Sequence, residues 1–363
     1  MKINSDHLLN ILEPEGLVSA FMDHPPEGFG PLVLEVDKKK VPGFSANLDL
    51  FTTAEPKVRR FFKKYADLLP ASIQRLLKPR MIFIGTTVSE YALIPDGIEP
   101  QALKESAVVL LRESGLQFLI VKDIPSSSPL LSDEEKAFGG RLISYLRENG
   151  FYILYGQALA YLPINFDSTD EYLMRLSHAR RKDIKRKLRS SSALSVERIK
   201  TGDDFFSDPN IDLLYGLYLN VYEMSEIHFD KLTKAFFKRV LLDEKNQGIL
   251  FLYRAGEKII GFNLCFIVKD CLVDKYVGFL YPDSRAFNLY FLSWFYNLEF
   301  CISNNLKTFV AGWTDPEIKA YLGAEFTYTF HAVYLKNPVL RFILGRFKSL
   351  FESDRSVLEA KGI

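Results

Sequence analysis

The chain has 363 residues, 48% of them hydrophobic, and a formal net charge of +1 at pH 7. This length is enough for two domains of ordinary size, and the apolar content excludes wholesale disorder. The near balance of charge argues against a general nucleic-acid-binding protein, although it leaves room for a local basic patch.

The cysteines and the N-terminal sequence indicate the compartment. Cys265, Cys271 and Cys301 lie in apolar surroundings and predict buried free thiols in a reducing environment. With neither a C-x-x-C pair nor a His/Cys cluster, we expect no metal. Residues 1–16 lack the apolar core of a signal peptide, and no apolar stretch is long enough to span a bilayer. We therefore expect a soluble, cytoplasmic protein.

The first half of the chain alternates strands with helices after an irregular segment over residues 1–30. The sequence predicts a strand–turn–strand over 31–52, a helix over 55–77, one long strand over 80–94, a strand over 116–124 and a strand pair over 151–164. Helices are predicted over 100–115 and 132–150, each ending at a glycine. We assign residues 31–165 to an N-terminal lobe.

The second half, residues 166–336, follows a similar order. Its predicted elements are a helix over 167–192, a strand over 194–200, two helices within 208–248, a three-stranded meander over 249–280, an aromatic helix over 288–305, a strand over 306–312, a short helix over 315–324 and a last strand over 327–335. Helices, then an antiparallel meander, then a helix that crosses to a further strand is the order of an acyltransferase domain of the GNAT kind. The two halves predict a mixed α/β fold of tandem GNAT-like domains, each a mixed, largely antiparallel sheet flanked by helices.

The predicted helix over 167–192 is strongly basic. It begins with a predicted capping box from Ser168 to Glu171. Its basic residues are Arg175, Arg180, Arg181, Lys182, Lys185, Arg186, Lys187 and Arg189. Arg180 falls on the apolar stripe between Leu176 and Ile184, so it either extends to solvent or faces a partner anion. The helix is either a solvated charged face or a phosphate-binding wall for tRNA, a lipid-linked substrate or a cofactor.

The loop over 281–288 is a candidate anion site. Amides at the start of a helix bind pyrophosphate in acyl-CoA-using folds, and Arg285 would add positive charge. The usual glycine-rich sequence is absent, so a plain turn with a surface arginine is the alternative. In the helix that follows, Glu299 lies between Leu298 and Phe300, either as a buried acid–base group or as a residue of the outer face.

The stretch "AGWTDPEIKAYLGAEF" (residues 311–326) follows the end of a predicted strand, which is where ligands bind in open α/β sheets. Asp315 and Pro316 predict a helix start, with Asp as N-cap and Pro at the first position, so that Glu317 lies in the first turn. Capping leaves Lys319 unexplained, and both a site and a plain capped turn remain open. His331 in the last strand is a further candidate, with a structural role as the alternative.

Five motifs follow one another between residues 165 and 335: YLMRLSHARRKDIKRKLR, FFKRVL, GFNLCF, NLYFLSWFYNLEFCISNNLKTFVAG and EIKAYLGAEFT. In this order they resemble FemAB/BioF2-like proteins of the GNAT superfamily, in particular a bacterial group associated with peptidoglycan biosynthesis. The positions that carry the resemblance are Leu289, Tyr290, Phe291, Glu299, Ala311, Gly312, Glu317, Lys319, Gly323 and His331. The histidine that the group often has between the Glu and the Lys is Ile318 here.

The resemblance implies transfer of an acyl or aminoacyl group to an amine. The expected donor is acyl-CoA, with aminoacyl-tRNA as the other donor. The acceptor would be a small-molecule, cell-wall or lipid-linked amine, and no DNA is expected. The predicted catalytic residues are Glu317, Lys319 and Glu299. The predicted cofactor-binding residues are Arg285, Asn288 and Tyr290, and the predicted substrate-binding residues are Arg180, Tyr276, Trp313 and His331.

Two other functions remain open. The missing glycine-rich motif favours a non-catalytic binding protein on a degenerate GNAT scaffold. The amphipathic tail over 337–363 favours a protein at the inner membrane surface, because "NPVLRFILGRFKSLF" mixes large apolar residues with basic ones. Docking of the tail onto its own domain is the alternative.

Overall fold

A computed structural model describes residues 8–49, 78–225, 228–338 and 341. The chain divides into two compact units. The first contains the described residues of 1–11, 21–158 and 327–363, and the second contains those of 12–20 and 159–326. The predicted lobes are each continuous in sequence, whereas these units are not. Most of the last strand belongs to the first unit, and residues 12–20 belong to the second. The predicted helix over 55–77 and nearly all of the tail over 337–363 lie outside the described residues.

The described residues form strands and helices that alternate along the chain. The strands are β1 (Leu8–Leu9), β2 (Gly30–Val36), β3 (Lys39–Asn47), β4 (Arg80–Ile84), β5 (Ile94–Pro95), β6 (Phe118–Pro125), β7 (Tyr152–Pro163), β8 (Ser195–Lys200), β9 (Gly248–Ala255), β10 (Lys258–Val268), β11 (Cys271–Phe279), β12 (Thr308–Gly312) and β13 (Glu325–Leu335). The helices are α1 (Glu15–Asp23), α2 (Pro100–Glu113), α3 (Asp133–Glu148), α4 (Thr169–Met174), α5 (His178–Leu188), α6 (Asp208–Met224), α7 (Lys234–Leu241), α8 (Asp283–Ala286), α9 (Leu289–Ser303) and α10 (Pro316–Tyr321).

The first unit is a sheet of order β2-β3-β4-β6-β13 with helices α2 and α3 packed on it. β4 and β6 are parallel, whereas the other neighbours are antiparallel. Helix α3 begins with a complete capping box, in which Ser132 Oγ accepts from the Glu135 amide and Glu135 accepts from the Ser132 amide. The class predicted for this half, a mixed sheet flanked by helices, is confirmed.

The second unit is a sheet of order β7-β12-β11-β10-β9-β8. The meander β9-β10-β11 is antiparallel, and helix α9 then crosses to β12, which pairs with β11 in parallel. This is the predicted GNAT-like order. Nine residues of α9 are buried, which explains its nearly continuous apolar sequence. The three cysteines lie in this unit as buried free thiols, as predicted.

Three predicted elements differ from the structure. The segment over 80–94 is not one strand, because β4 ends at Ile84 and Gly85 follows with a φ of +121°. The segment over 151–164 is one strand, β7, and not a pair. The basic helix over 167–192 is two helices, because Ser177 caps a new start at α5 by accepting from the Arg180 amide.

A helix that crosses a bilayer must be both long and apolar. Within the described parts of the chain, no helix has both properties.

Candidate functional site

The site begins where strands β11 and β12 separate. The two strands pair in parallel at Cys271–Thr308, Leu272–Phe309 and Val273–Val310. Among the described residues no further pair joins them, although β11 continues to Phe279. The place where this pairing ends is called the gap below; it lies at the carboxyl ends of two parallel strands, the usual position of a ligand in an open α/β sheet.

A β-bulge in β11 lies at this gap. Leu264 of β10 pairs with Tyr276, and Cys265 pairs with Asp274, so that Lys275 is an extra residue on β11. A bulge of this kind changes the direction of the side chains that follow it.

The bulge sends Asp274 and Tyr276 to different helices. Asp274 bonds to Asn297 of α9. The ring of Tyr276 packs on Phe236 and Phe237 of α7, at centroid distances of 5.9 and 5.5 Å. The predicted substrate residue Tyr276 thus belongs to the packing with α7, and Asp274 is the polar residue at the gap.

Asp274 is held at both carboxylate oxygens. Asn297 Nδ2 donates to Oδ2 over 3.0 Å, and the Cys265 Sγ lies 3.6 Å from Oδ1. Burial raises the pKa of Asp274 to about 6, against the opposing effects of the Lys319 ammonium and the hydrogen bonds. At neutral pH this carboxyl group is therefore mostly ionised, yet ready to take a proton, which suits a general base.

Lys319 supplies the positive charge next to Asp274. It lies in α10 and is only 5% exposed. Gly312 ends β12 beside it with a φ of +80°, a conformation that favours glycine. A Cβ at Gly312 would lie 3.9 Å from Lys319 Nζ and 3.6 Å from the backbone oxygen of Asp274. The predicted residue Lys319 therefore shares a site with Asp274.

Asp315 stands before α10 without capping it. Its φ is +53° and its side chain makes no capping hydrogen bond, so the predicted cap is wrong, although Pro316 does take the first helical position. Its carboxylate instead adds to the effect of burial in raising the pKa values of Tyr281 and Tyr290.

Tyr290 and Arg285 lie on the α9 side of the site. Burial raises the pKa of Tyr290, and the negative charges of Asp315 and Asp274 raise it further. Arg285 is exposed, and its guanidinium carbon lies 4.8 Å from the ring centroid of Tyr281. Of these two predicted cofactor residues, Tyr290 is thus within the electrostatic influence of Asp274, whereas Arg285 contacts Tyr281.

The predicted carboxylates Glu317 and Glu299 are both exposed. Glu299 lies on the outer face of α9, two residues after the buried Asn297, and lines a groove of about 550 Å³. The groove runs between α9 and helices α4 and α5, and Lys185 and Arg189 lie on its wall.

Three other predicted residues have local roles. Arg180 Nη1 donates to the Ala320 carbonyl over 3.4 Å, so this arginine packs against the end of α10. Asn288 occupies the N-cap position of α9 with a φ of +52° and makes no side-chain cap bond. Trp313 is half-buried in the segment between β12 and α10.

His331 belongs to a separate cluster in the first unit. Its Nδ1 accepts from the Asp123 amide over 3.1 Å, and Thr329 Oγ1 donates to Asp123 Oδ1 over 3.2 Å. Burial lowers the pKa of His331, and the Asp123 carboxylate opposes this. A neutral imidazole that accepts from the backbone fits the structural alternative.

Helix α5 presents one mainly basic face. His178, Arg181, Lys182, Lys185 and Arg189 recur at spacings of three and four residues. Two of the three acidic residues of α4 and α5 pair with cations outside this face: Glu171 with Arg175, and Asp183 with both Arg186 and Lys187.

On this basic face, Lys185 pairs with Asp170 over 3.0 Å. Arg181, Lys182 and Arg189 make no ion pair with any residue that the structure describes. These three cations are therefore available to an external anion.

Sequence reasoning missed Asp274, Asn297 and Asn263. A signal was present, since each is a polar residue within an apolar strand or helix, and Asn263 and Asn297 are 0% exposed. Such residues are retained in a core only when they are hydrogen-bonded. The bulge that turns Asp274 toward α9 depends on tertiary pairing and leaves no clear sequence pattern.

For a donor with phosphates, Arg285 and the backbone amides at the start of α9 are the groups that could hold it. Within the described ranges, no group of three or more His, Cys, Asp or Glu residues could hold a metal ion.

Comparisons with known proteins complete the description of the site. A FemAB-like family model, described as peptidoglycan biosynthesis/recognition, matches residues 127–358. A search of curated proteins finds no match.

Three solved structures share the fold. FemX is 12% identical with a TM-score of 0.51, and the alignment covers 90% of this chain and 96% of FemX. L-PGS from Bacillus licheniformis is 10% identical with a TM-score of 0.52, covering 93% and 97%. The C-terminal domain (DUF2156) of an Agrobacterium fabrum protein, described provisionally as lysylphosphatidylglycerol synthetase, is 11% identical with a TM-score of 0.54, covering 95% and 91%. At these identities the likeness concerns the fold alone.

Proposed function

Because the chain belongs to the FemAB-like family of peptidoglycan biosynthesis/recognition, we propose that it transfers an aminoacyl group from an activated donor to an amine of a cell-envelope precursor. The name lysylphosphatidylglycerol synthetase, given to a protein of the same fold, describes an aminoacylated lipid and supports an aminoacyl group as the group that is transferred. Acyl-CoA is the other donor that the site would serve, with Arg285 and the start of α9 on its phosphates.

The observation that carries the proposal is that Asp274 and Lys319 both lie next to Gly312, where the pairing of β11 with β12 ends. A carboxyl group with a pKa of about 6 and a buried ammonium that acts on it electrostatically are thereby brought into one neighbourhood. Amine acylation needs both groups, since a proton must leave the amine while negative charge develops on the carbonyl oxygen.

In the proposed reaction the neutral amine of the acceptor attacks the carbonyl carbon of the donor. A C–N bond forms, and the C–O bond of an ester, or the C–S bond of a thioester, breaks. Asp274 accepts the proton lost by the amine and returns it to the leaving oxygen or sulfur. Lys319 and a backbone N–H of β11 facing the gap stabilise the oxyanion. The remaining contribution is orientation of the two reactants.

The basic face of α5 fits the donor. Arg181, Lys182 and Arg189 could bind the phosphates of an aminoacyl-tRNA at the surface of the second unit, which is one of the two alternatives that the sequence left open for this helix. With no aromatic residue interleaved among them, such binding would be to phosphates and not to bases.

The test is a transfer assay with two donor sets. Purified protein is incubated with aminoacyl-tRNAs carrying labelled amino acids, or with acyl-CoAs of several chain lengths, and with amine-bearing peptidoglycan precursors. Mass spectrometry then reads the acceptor. A product that gains one aminoacyl residue supports the proposal. A product that gains only a fatty acyl group would show that the donor is acyl-CoA and not an aminoacyl-tRNA. Precursor binding without transfer from either set would overturn catalysis and favour a binding protein on this scaffold.

A further inference from the structure

A chain of buried polar side chains leads away from Asp274 into the second unit. Asn297 Nδ2 donates to Asp274 over 3.0 Å, and Asn263 Nδ2 donates to Asn297 Oδ1 over 3.0 Å. The Tyr253 hydroxyl is hydrogen-bonded to Asn263 Oδ1. Tyr253, Asn263 and Asn297 are each 0% exposed.

The hydrogen bonds of this series all donate in one direction, from Tyr253 toward Asp274. A tyrosine hydroxyl beside an amide oxygen must donate, so Asn263 receives at Oδ1 and presents its NH₂ group to Asn297. Asn297 then receives at Oδ1 and presents its own NH₂ group to the Asp274 carboxylate. Each amide is thereby fixed in the orientation that offers a donor to Asp274.

A second branch reaches the other carboxylate oxygen. Asn263 Nδ2 lies 3.1 Å from the Cys265 Sγ, and this sulfur lies 3.6 Å from Asp274 Oδ1. Asn263 therefore supports both oxygens of Asp274, one through Asn297 and one through Cys265. The thiol is 0% exposed, and burial raises its pKa well above its usual value, so it remains a protonated donor.

We propose that Tyr253, Asn263 and Asn297 are positioning residues that hold Asp274 in the orientation and ionisation state of a general base. The proposal rests on the function proposed above for its kinetic consequence, whereas the hydrogen-bond chain itself is independent of that function. Burying three polar side chains in an apolar core is unfavourable unless each of them is hydrogen-bonded. Among the described residues, Asp274 is the only carboxylate that this hydrogen-bond chain contacts, and the chain ends there.

The direct test is the titration of Asp274, followed by the NMR signal of its ¹³C-labelled carboxyl group. Asn297→Leu removes the donor to Oδ2, so the midpoint should rise by about one pH unit. Tyr253→Phe removes the first donor of the chain and should raise the midpoint by a smaller amount. It also serves as the test if Asn297→Leu does not fold. Tyr218→Phe is the matched control, because Tyr218 is a buried tyrosine of the same unit whose hydroxyl bonds to the Leu232 amide.

The pH dependence of kcat/KM provides the second measurement. Parallel upward shifts of the NMR midpoint and of the rate profile in Asn297→Leu and Tyr253→Phe, but not in Tyr218→Phe, support the proposal. An NMR midpoint unchanged in both chain variants, or one shifted equally in the control, overturns it. A shifted NMR midpoint with an unshifted rate profile keeps the positioning chain but rejects Asp274 as the base, which would be a failure of the proposed function.

Discussion

At the scale of single residues, Asp274 lies in a buried position where its ionised form is unfavourable. Burial raises its pKa from about 4 in the unfolded chain to about 6, so the native state binds a proton more tightly than the unfolded state does. Between these two values the native chain holds more protons. The contribution of Asp274 to the free energy of unfolding therefore falls as the pH rises from about 4 to about 6, and is level above that.

We predict that Asp274→Asn is more stable than the wild type at neutral pH. Asparagine keeps the shape of the protonated carboxyl group without the charge, so the free energy of unfolding should rise by about 1–3 kcal/mol at pH 7.5. Near pH 4 the difference should be small. Urea unfolding at the two pH values measures it, and a variant less stable than the wild type at pH 7.5 would show that the pair with Lys319 outweighs burial.

Gly312 gives a second prediction at this scale. Its φ of +80° disfavours any residue with a Cβ, so Gly312→Ala should lower the free energy of unfolding by about 1 kcal/mol. The control is Gly216→Ala in α6, where a Cβ meets nothing within 4 Å and helix propensity should raise stability by a similar amount. Thermal unfolding of both variants distinguishes backbone strain from a general effect of the added methyl group.

At the scale of elements, the bulged strand β11 is tied to a distant part of the sequence. Lys275, the extra residue of the bulge, lies 3.5 Å from the Glu13 carboxylate, and the two side chains are 6% and 0% exposed. Both residues belong to the second unit. Removing one member of a buried ion pair leaves the other charge uncompensated.

We therefore expect Lys275→Met to lower the free energy of unfolding by about 3 kcal/mol. The double variant Glu13→Gln, Lys275→Met should lose less than the sum of the two single variants, because neither charge is then left alone. Additive losses in the double-mutant cycle would mean that the two side chains stabilise the protein independently.

The basic face of α5 provides a prediction about donor binding. Arg181→Glu with Lys182→Glu should weaken binding of a tRNA donor by about tenfold or more at low salt, and should flatten the salt dependence of the dissociation constant. Arg186→Glu is the matched control, because Arg186 already pairs with Asp183 over 2.6 Å. Filter binding at several salt concentrations gives the measurement, and equal losses in both variants would argue against a specific face.

The elements themselves were largely predictable from sequence. The meander turns, the apolar helix α9 and the short helix α10 follow from periodicity and turn residues, and the structure has them at nearly the predicted positions. The incorrect predictions concern features that depend on tertiary contacts. β7 is one strand because no turn interrupts residues 152–163, and the basic segment divides because Ser177 supplies a second cap.

At the scale of the whole molecule, the family and the fold class followed from the order of elements and motifs, whereas the site followed only in part. Lys319 was selected from the sequence because helix capping left it unexplained, and Tyr290 and Arg285 because they flank a helix start; the roles of all three remain predictions. Asp274 could not be identified, since its direction depends on a bulge formed by pairing with β10. Each unit has its own core, and the groups proposed for catalysis all lie in the second unit.

The role of Asp274 as general base is tested by kcat/KM for aminoacyl transfer in Asp274→Asn, with Glu299→Gln as control. We predict a loss of about 10²-fold or more in Asp274→Asn, because a general base contributes about that factor. Glu299→Gln should stay close to the wild type, since Glu299 lies on the exposed face of α9. The wild-type rate should rise with pH through about pH 6, as Asp274 loses its proton, and then level off. Full activity in Asp274→Asn, or a loss confined to Glu299→Gln, would contradict the account.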